Sequence, residues 1–221
     1  MSSQIKTINL GGVNCYLASS PDSFVLIDTG FSGKRALLLK ELESAGCAPG
    51  KLRLILITHG DADHAGNAAY LREKFGAKIA MHADDAGMVE RGDMGWNRKA
   101  KPDKMSLIMK VMASVMNKFV KSGVFQKFTP DMTVDDGFDL SAYGLDAAVL
   151  HLPGHSKGSI GILTKDGDLF CGDLFYNMPG FKFVDNLKDH DDSVKKLKGL
   201  NVHTIYPGHG KALREGYLQK Q

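Results

Sequence analysis

The sequence predicts an α/β fold. Short apolar runs of strand length recur along it, segments with helical spacing alternate with the first of these, and glycine-containing loops follow several of them. Ser23–Asp28 (SFVLID) reads as a strand that ends in a turn at Thr29-Gly30. Lys34–Ala45 has helical spacing and stops at Gly46. Leu52–Thr58 (LRLILIT) is mostly apolar over a strand's length, as expected of a strand covered on both faces. Asn67–Phe75 reads as a helix closed by Gly76, and Lys78–His82 as the next strand. The first third is thus a β-α-β-α-β series, which implies a sheet with helices on its faces. Further on, Ala147–Leu152, Ser159–Thr164 and Asp168–Cys171 read as strands, with Lys165-Asp166-Gly167 as a hairpin turn. Asp191–Lys198 reads as a helix, and Thr204–Tyr206 as a last short strand before Pro-Gly-His-Gly.

The pattern changes over about 84–138. Lys104–Lys121 carries Met105, Ile108, Met109, Met112, Met116, Phe119 and Val120, with lysines at 104, 110, 118 and 121, and reads as an amphipathic helix with a Met-rich face. Such a face suits an irregular apolar surface. It fits a helix packed over the body, a pocket wall, a homodimer contact or a lid over a hydrophobic substrate. There is no internal repeat and no low-complexity linker, so one domain is expected over 1–221, with a helical insertion at about 84–138.

Composition narrows the classes. A chain of 221 residues can bury a real core, and a net charge of +3 is too small to argue for nucleic acid. Arg98 to Lys127 holds eight basic residues and one acid, Asp103, but aromatics are sparse there, so no nucleic-acid partner is expected. Three cysteines, Cys15, Cys47 and Cys171, include no Cys-x-x-Cys pair, which points away from a disulfide framework and towards the cytoplasm. The N-terminal residues lack the apolar run of a signal peptide, and no stretch reaches the ~18 apolar residues of a membrane span.

The chemistry concentrates in Thr58-His59-Gly60-Asp61-Ala62-Asp63-His64, between a buried strand and a helix. A tight loop of small residues can turn several side chains to one point, and imidazole and carboxylate are the ligands of zinc, iron and manganese. Three more such residues follow strands: His155 in Pro-Gly-His-Ser, Asp173 in Cys-Gly-Asp, and His209 in Pro-Gly-His-Gly. Each alone is a weak signal. Together the seven point to a metal site on strand-end loops.

This order of motifs, Thr-His-x-x-x-Asp-His, Pro-Gly-His-Ser, Gly-Asp and Pro-Gly-His-Gly, resembles the metallo-β-lactamase superfamily, and within it the glyoxalase II-like small hydrolases, over roughly Asp28 to Gly210. The resemblance implies an αββα sandwich with two divalent metal ions at one edge. By motif position, His59, Asp61 and His155 would hold the first ion, Asp63, His64 and His209 the second, and Asp173 would bridge them. Asp28, in Val-Leu-Ile-Asp-Thr-Gly, matches a buried aspartate that orients a ligand histidine. One departure stands out: most of the family has histidine where this chain has Asp61. A third carboxylate there would raise the pKa of bound water and favour harder ions, so iron and manganese stand beside zinc as cofactors.

The chemistry implied is hydrolysis of an ester, thioester, lactone or amide in a small-molecule substrate, by a hydroxide that two metals activate and Asp63 orients. Alternatives of the same fold are a di-iron oxidoreductase with a separate redox partner and a nuclease or phosphodiesterase. Lys157 and Lys182 are candidates to bind an anionic substrate group. His82 follows a strand and is expected to be structural, and His151, His190 and His203 carry no motif.

Overall fold

The computed structural model describes residues 4–111, 114, 126–180 and 182–221. Side-chain alternation along the first strands sorts the chain into layers. These are β1 (Gln4–Asn9), β2 (Asn14–Ser19), β3 (Phe24–Ile27), β4 (Leu52–Leu56) and β5 (Lys78–Met81). Cys15, Leu17, Phe24, Leu26 and Ile55 face one core, and Tyr16, Ala18, Val25, Ile27, Leu54 and Leu56 face another. β1, β2 and β3 are antiparallel neighbours, whereas β3, β4 and β5 run parallel. The parallel crossovers carry α1 (Arg35–Ser44), α2 (Ala62–Ala65) and α3 (Ala68–Phe75). Leu38 and Leu42 of α1 and Leu71 and Phe75 of α3 cover the outer face of this sheet.

Among its described residues, the middle segment is only partly helical. α4 (Ala83–Arg91) starts on His82, whose Nδ1 accepts from the Asp84 N–H at 3.2 Å, so an imidazole caps the helix. Lys104–Met105, expected as a first helical turn, instead form a strand, β6, that pairs with β11 (Phe183–Val184). Residues 107–111 are helical, as is Ser114; the other expected positions of the Met-rich helix beyond 111 lie outside the described residues. β7 (Met132–Thr133) then joins the first sheet beside β5, completing the order β1-β2-β3-β4-β5-β7.

The second sheet has the order β13-β12-β10-β9-β8, from β8 (Ala147–His151), β9 (Ile160–Thr164), β10 (Asp168–Asn177), β12 (Thr204–Gly210) and β13 (Leu213–Arg214). Ala147, Val149, Ile160, Ile162 and Phe170 pack it against the first sheet. Its other face is covered by α5 (Leu187–Lys198) through Val194 and Leu197. The helix starts at Leu187, earlier than its spacing suggests, because the Asn186 side chain accepts from the N–H groups of Lys188 and Asp189. The layers are therefore helix, sheet, sheet, helix, as in the predicted αββα sandwich.

β10 and β12 both outrun the predicted strands. They pair in parallel from Asp168/Thr204 to Asn177/Gly210, with register shifts around Gly172, so Asp173 and His209 sit within irregular strand rather than beyond it. Gly172 has φ +51°, and a Cβ there would meet Thr58 Oγ1 at 2.7 Å. Its missing side chain lets β10 close on the end of β4, which leads to His59.

Candidate metal centre

The site is assembled where β3, β4, β10 and β12 come together. Asp28, at the end of β3, has a left-handed backbone (φ +59°), a conformation that aspartate tolerates better than most residues. Its carboxylate accepts from Thr58 N–H and Thr58 Oγ1, each at 2.8 Å, and from His64 Nδ1 at 2.8 Å. Since Thr58 Oγ1 donates to Asp28, it accepts from His59 Nδ1–H at 3.0 Å. One buried carboxylate thus fixes the rings of both histidines and directs each Nε2 inward.

All seven motif residues come together. In one group, ligand atoms of His59, His155 and Asp173 lie within 4.8 Å of one another; in a second, those of Asp63, His64 and His209 do. His209 Nδ1 donates to the Gly12 carbonyl at 2.7 Å, which leaves Nε2 at 3.4 Å from Asp63 and 3.3 Å from Asp173. His64 Nε2 lies 3.4 Å from Asp173 Oδ1. The Nε2 atoms of His59 and His64 and Oδ1 of Asp173 are buried without a hydrogen bond. Unsatisfied buried donors and acceptors are costly, and here they converge on one space, which suits the binding of metal. Gly208 keeps that space clear: a Cβ there would fall 2.3 Å from Asp173 Oδ1 and 2.6 Å from His64 Cε1.

Asp61 has a partner that the sequence did not reveal. Arg98 Nη1 donates to Asp61 Oδ1 at 2.8 Å and Nη2 to Oδ2 at 3.0 Å. Nη2 also lies 3.1 Å from His155 Nε2. This fork cancels the additional negative charge that Asp61 brings. His155 is held from its other side by the Tyr176 hydroxyl, 2.9 Å from Nδ1.

Protonation follows from this crowding. Burial opposes charge on His64, but Asp173, Asp28 and Asp63 outweigh it and push it up to about 9. Burial likewise opposes charge on His209, and Asp173 and Asp63 drive it to about 11. Burial alone would raise the carboxylates. Asp61 is nevertheless held well below the usual range by Arg98, and Asp173 by His209 and His64. His155 is lowered by burial and by His59. Burial and then Asp173 lift Tyr176 well above the usual phenol range, so its hydroxyl stays protonated.

Asp85, buried in α4, also carries no signal in the sequence. It accepts from Gly60 N–H at 3.1 Å, Ser156 Oγ at 2.6 Å and Gly158 N–H at 2.8 Å, tying the two histidine loops together. No sequence motif marks Asp85, Arg98 or Tyr176.

The remaining candidates lie off the centre. His82 and His151 stack 4.2 Å apart and 4° from parallel, with Asp84 nearby. Parallel rings do not aim their lone pairs at one point; His82 Nδ1 is already an acceptor, and His151 Nε2 donates to the Lys157 carbonyl at 2.8 Å. Lys157 Nζ donates to Asn97. His190 and Lys182 line a cavity of about 340 Å³, and His203 lies against Gly167.

Comparison with known proteins agrees with this geometry. The family model described as metallo-beta-lactamase superfamily matches residues 8–209. The chain is 26% identical to a Caenorhabditis elegans "Beta-lactamase-like protein 2 homolog", covering 91% of this chain and 57% of that protein. It is 27% identical to the Bos taurus "Acyl-coenzyme A thioesterase MBLAC2" (89% and 72% covered) and 27% identical to the Haemophilus influenzae "Hydroxyacylglutathione hydrolase GloC" (74% and 66%). Among solved structures, a Cronobacter sakazakii metallo-beta-lactamase with an HARLDQ motif superposes with a TM-score of 0.69 at 22% identity, over 93% of this chain and 75% of that one. The family model covers residues 8–209, which include both triads and Asp61, so the chain belongs to the metallo-β-lactamase superfamily.

Proposed function

We propose that this protein is a metal-dependent hydrolase of thioesters, with related esters and lactones as lesser substrates. The observation that carries the reading is the convergence of unpartnered His59 Nε2, His64 Nε2 and Asp173 Oδ1 between two buried triads of donors. His59, Asp61 and His155 would serve one divalent ion, Asp63, His64 and His209 another, and Asp173 both. Four imidazoles suit zinc. A third free carboxylate would favour iron or manganese, but Arg98 pairs with Asp61, which weakens that preference and the di-iron reading with it.

When bound, the ions would supply an acidified water and a Lewis acid for the substrate carbonyl. The protein's own part is orientation. Asp63, whose Oδ2 lies 3.4 Å from His209 Nε2, would accept a hydrogen bond from the attacking water and hold its direction. Asp28 and Tyr176 keep the histidine rings from turning, and Asp85 fixes the spacing of their loops.

Two relatives are named for thioester substrates whose carrier, coenzyme A or glutathione, is anionic. The cavity lined by Lys104, Lys182, Lys195 and Lys198, with Asp191 as the one acidic side chain among its described lining residues, offers net positive charge for such a carrier. Lys182 adjoins Phe183, whose ring lies 5.1 Å from that of His155. The three buried free cysteines support a reducing, cytoplasmic setting. The test is a chelator-stripped sample assayed with acyl-coenzyme A and acylglutathione panels before and after zinc is restored. Zinc-dependent thioester hydrolysis is expected, and full activity in the stripped sample would refute the reading. Lys182→Ala is expected to raise KM for an anionic thioester about tenfold with little change in kcat.

A further inference from the structure

The half of the pocket built by His59 and His155 already contains a cation. Asp61 Oδ2 lies 3.0 Å from His155 Nε2, 3.4 Å from His59 Nε2 and 3.0 Å from Arg98 Nη2. A guanidinium nitrogen therefore stands among the atoms that would ligate a metal there. Arg98 is built into this place. Its Nη1 also donates to the Met94 carbonyl at 3.1 Å, and the Phe183 ring centroid lies 5.1 Å from the guanidinium carbon. The next residue, Lys99, is anchored through its N–H to the Asp185 carboxylate at 3.1 Å. The Arg98 side chain is only 11% exposed, and its Nε is buried without a hydrogen-bond partner. The other half differs. The ion pairs of Asp63, His64 and His209 run among themselves and to Asp28 and Asp173, with no lysine or arginine among the described residues.

We propose that Arg98 is a resident cation that makes the two halves load unequally. Asp63, His64 and His209 hold one divalent ion tightly. The half formed by His59, His155 and Asp173 takes a second ion weakly, because that ion must approach a fixed positive charge and Arg98 must give up its two bonds to Asp61. The inference rests on the pocket being a metal centre, and it adds an order of loading and a role for Arg98.

The test reads metal, not turnover. Chelator-stripped wild-type protein is titrated with zinc by calorimetry, and retained zinc is counted by elemental analysis after desalting. One retained ion is expected, with a second binding about 100-fold more weakly. In Arg98→Gln, and independently in Arg98→Met, the second ion should bind at least about tenfold more tightly than in wild type. Circular dichroism establishes which variants are folded. Wild type that takes two ions with equal affinity overturns the proposal, as does a folded variant whose second ion binds no tighter than in wild type. If neither variant folds, the wild-type titration decides alone. A protein that holds one ion and hydrolyses no thioester would keep this inference and remove the proposed function; one that holds two equal ions and hydrolyses thioesters would do the reverse.

Discussion

Asp28 contributes no atom to either ligand triad, yet it orients His64 directly and His59 through Thr58. Asp28→Asn keeps the size of the side chain and removes its charge. It also makes one of the two positions an N–H donor that cannot accept from Thr58 or His64. The expected outcome is a zinc affinity lower by about 10- to 100-fold, measured by competition with a chromophoric chelator, with the far-ultraviolet circular dichroism unchanged. A variant that binds zinc like wild type would show that Asp28 serves only the turn. Residues of this kind differ in how visible they are in the sequence. The seven clustered residues stand in short motifs, so residue type and spacing pointed to them. Arg98 lies 37 positions from Asp61, in an irregular loop, where nothing local distinguishes it from the other basic residues nearby.

At the scale of elements, the decisive piece is the parallel pair β10–β12. Its register shifts set Asp173 beside His209, and Gly208 keeps a side chain out of the space between Asp173 and His64. Gly208→Ala is expected to cost at least about tenfold in zinc affinity, because its Cβ would displace one of these two groups. Calorimetry reads the affinity, and thermal melting of the stripped protein separates that loss from general destabilisation. The strands β3, β4 and β5 were legible because they are short apolar runs bounded by turns. β1 and β2 carry no such signal: polar residues interrupt both, Gly11-Gly12 joins them, and only the pairing from Gln4/Ser19 to Asn9/Asn14 makes them strands. The sequence ends β10 and β12 too early, because Gly172, Pro207 and Gly208 look like turn residues when pairing partners are unknown. β6 reads as helix in the sequence because a two-residue strand has no periodicity of its own.

For the whole molecule, charge at the centre couples stability to pH. His64, at about 9, and His209, at about 11, lie above the ordinary histidine value of about 6.5. In metal-free protein their contribution to stability is complete below about pH 6.5 and is lost as pH rises through 9 and then 11. Asp61, Asp63 and Asp173 are lowered, so their contribution is present above about pH 4 and is lost only as pH falls through their depressed values. A bound ion takes neutral imidazoles, so it must displace those two protons, and its stabilising effect grows as pH rises. The gap in melting temperature between zinc-loaded and stripped protein is therefore expected to widen from pH 6 to pH 9, as differential scanning calorimetry can check. A gap that narrows over this range would contradict the charge assignment. No described helix is long and apolar enough to cross a membrane.

The amino-terminal hairpin has a role beyond its own ladder. Tyr16 and Asn14 reach the Pro207 carbonyl at 2.6 and 3.1 Å, Asn14 also grips Gly210, and the Gly12 carbonyl receives His209 Nδ1. Segments more than 190 positions apart are thereby hasped together, and the hasp closes on His209. Without this hairpin every candidate metal-binding side chain would remain in the polypeptide, but His209 would lose the carbonyl that holds its ring.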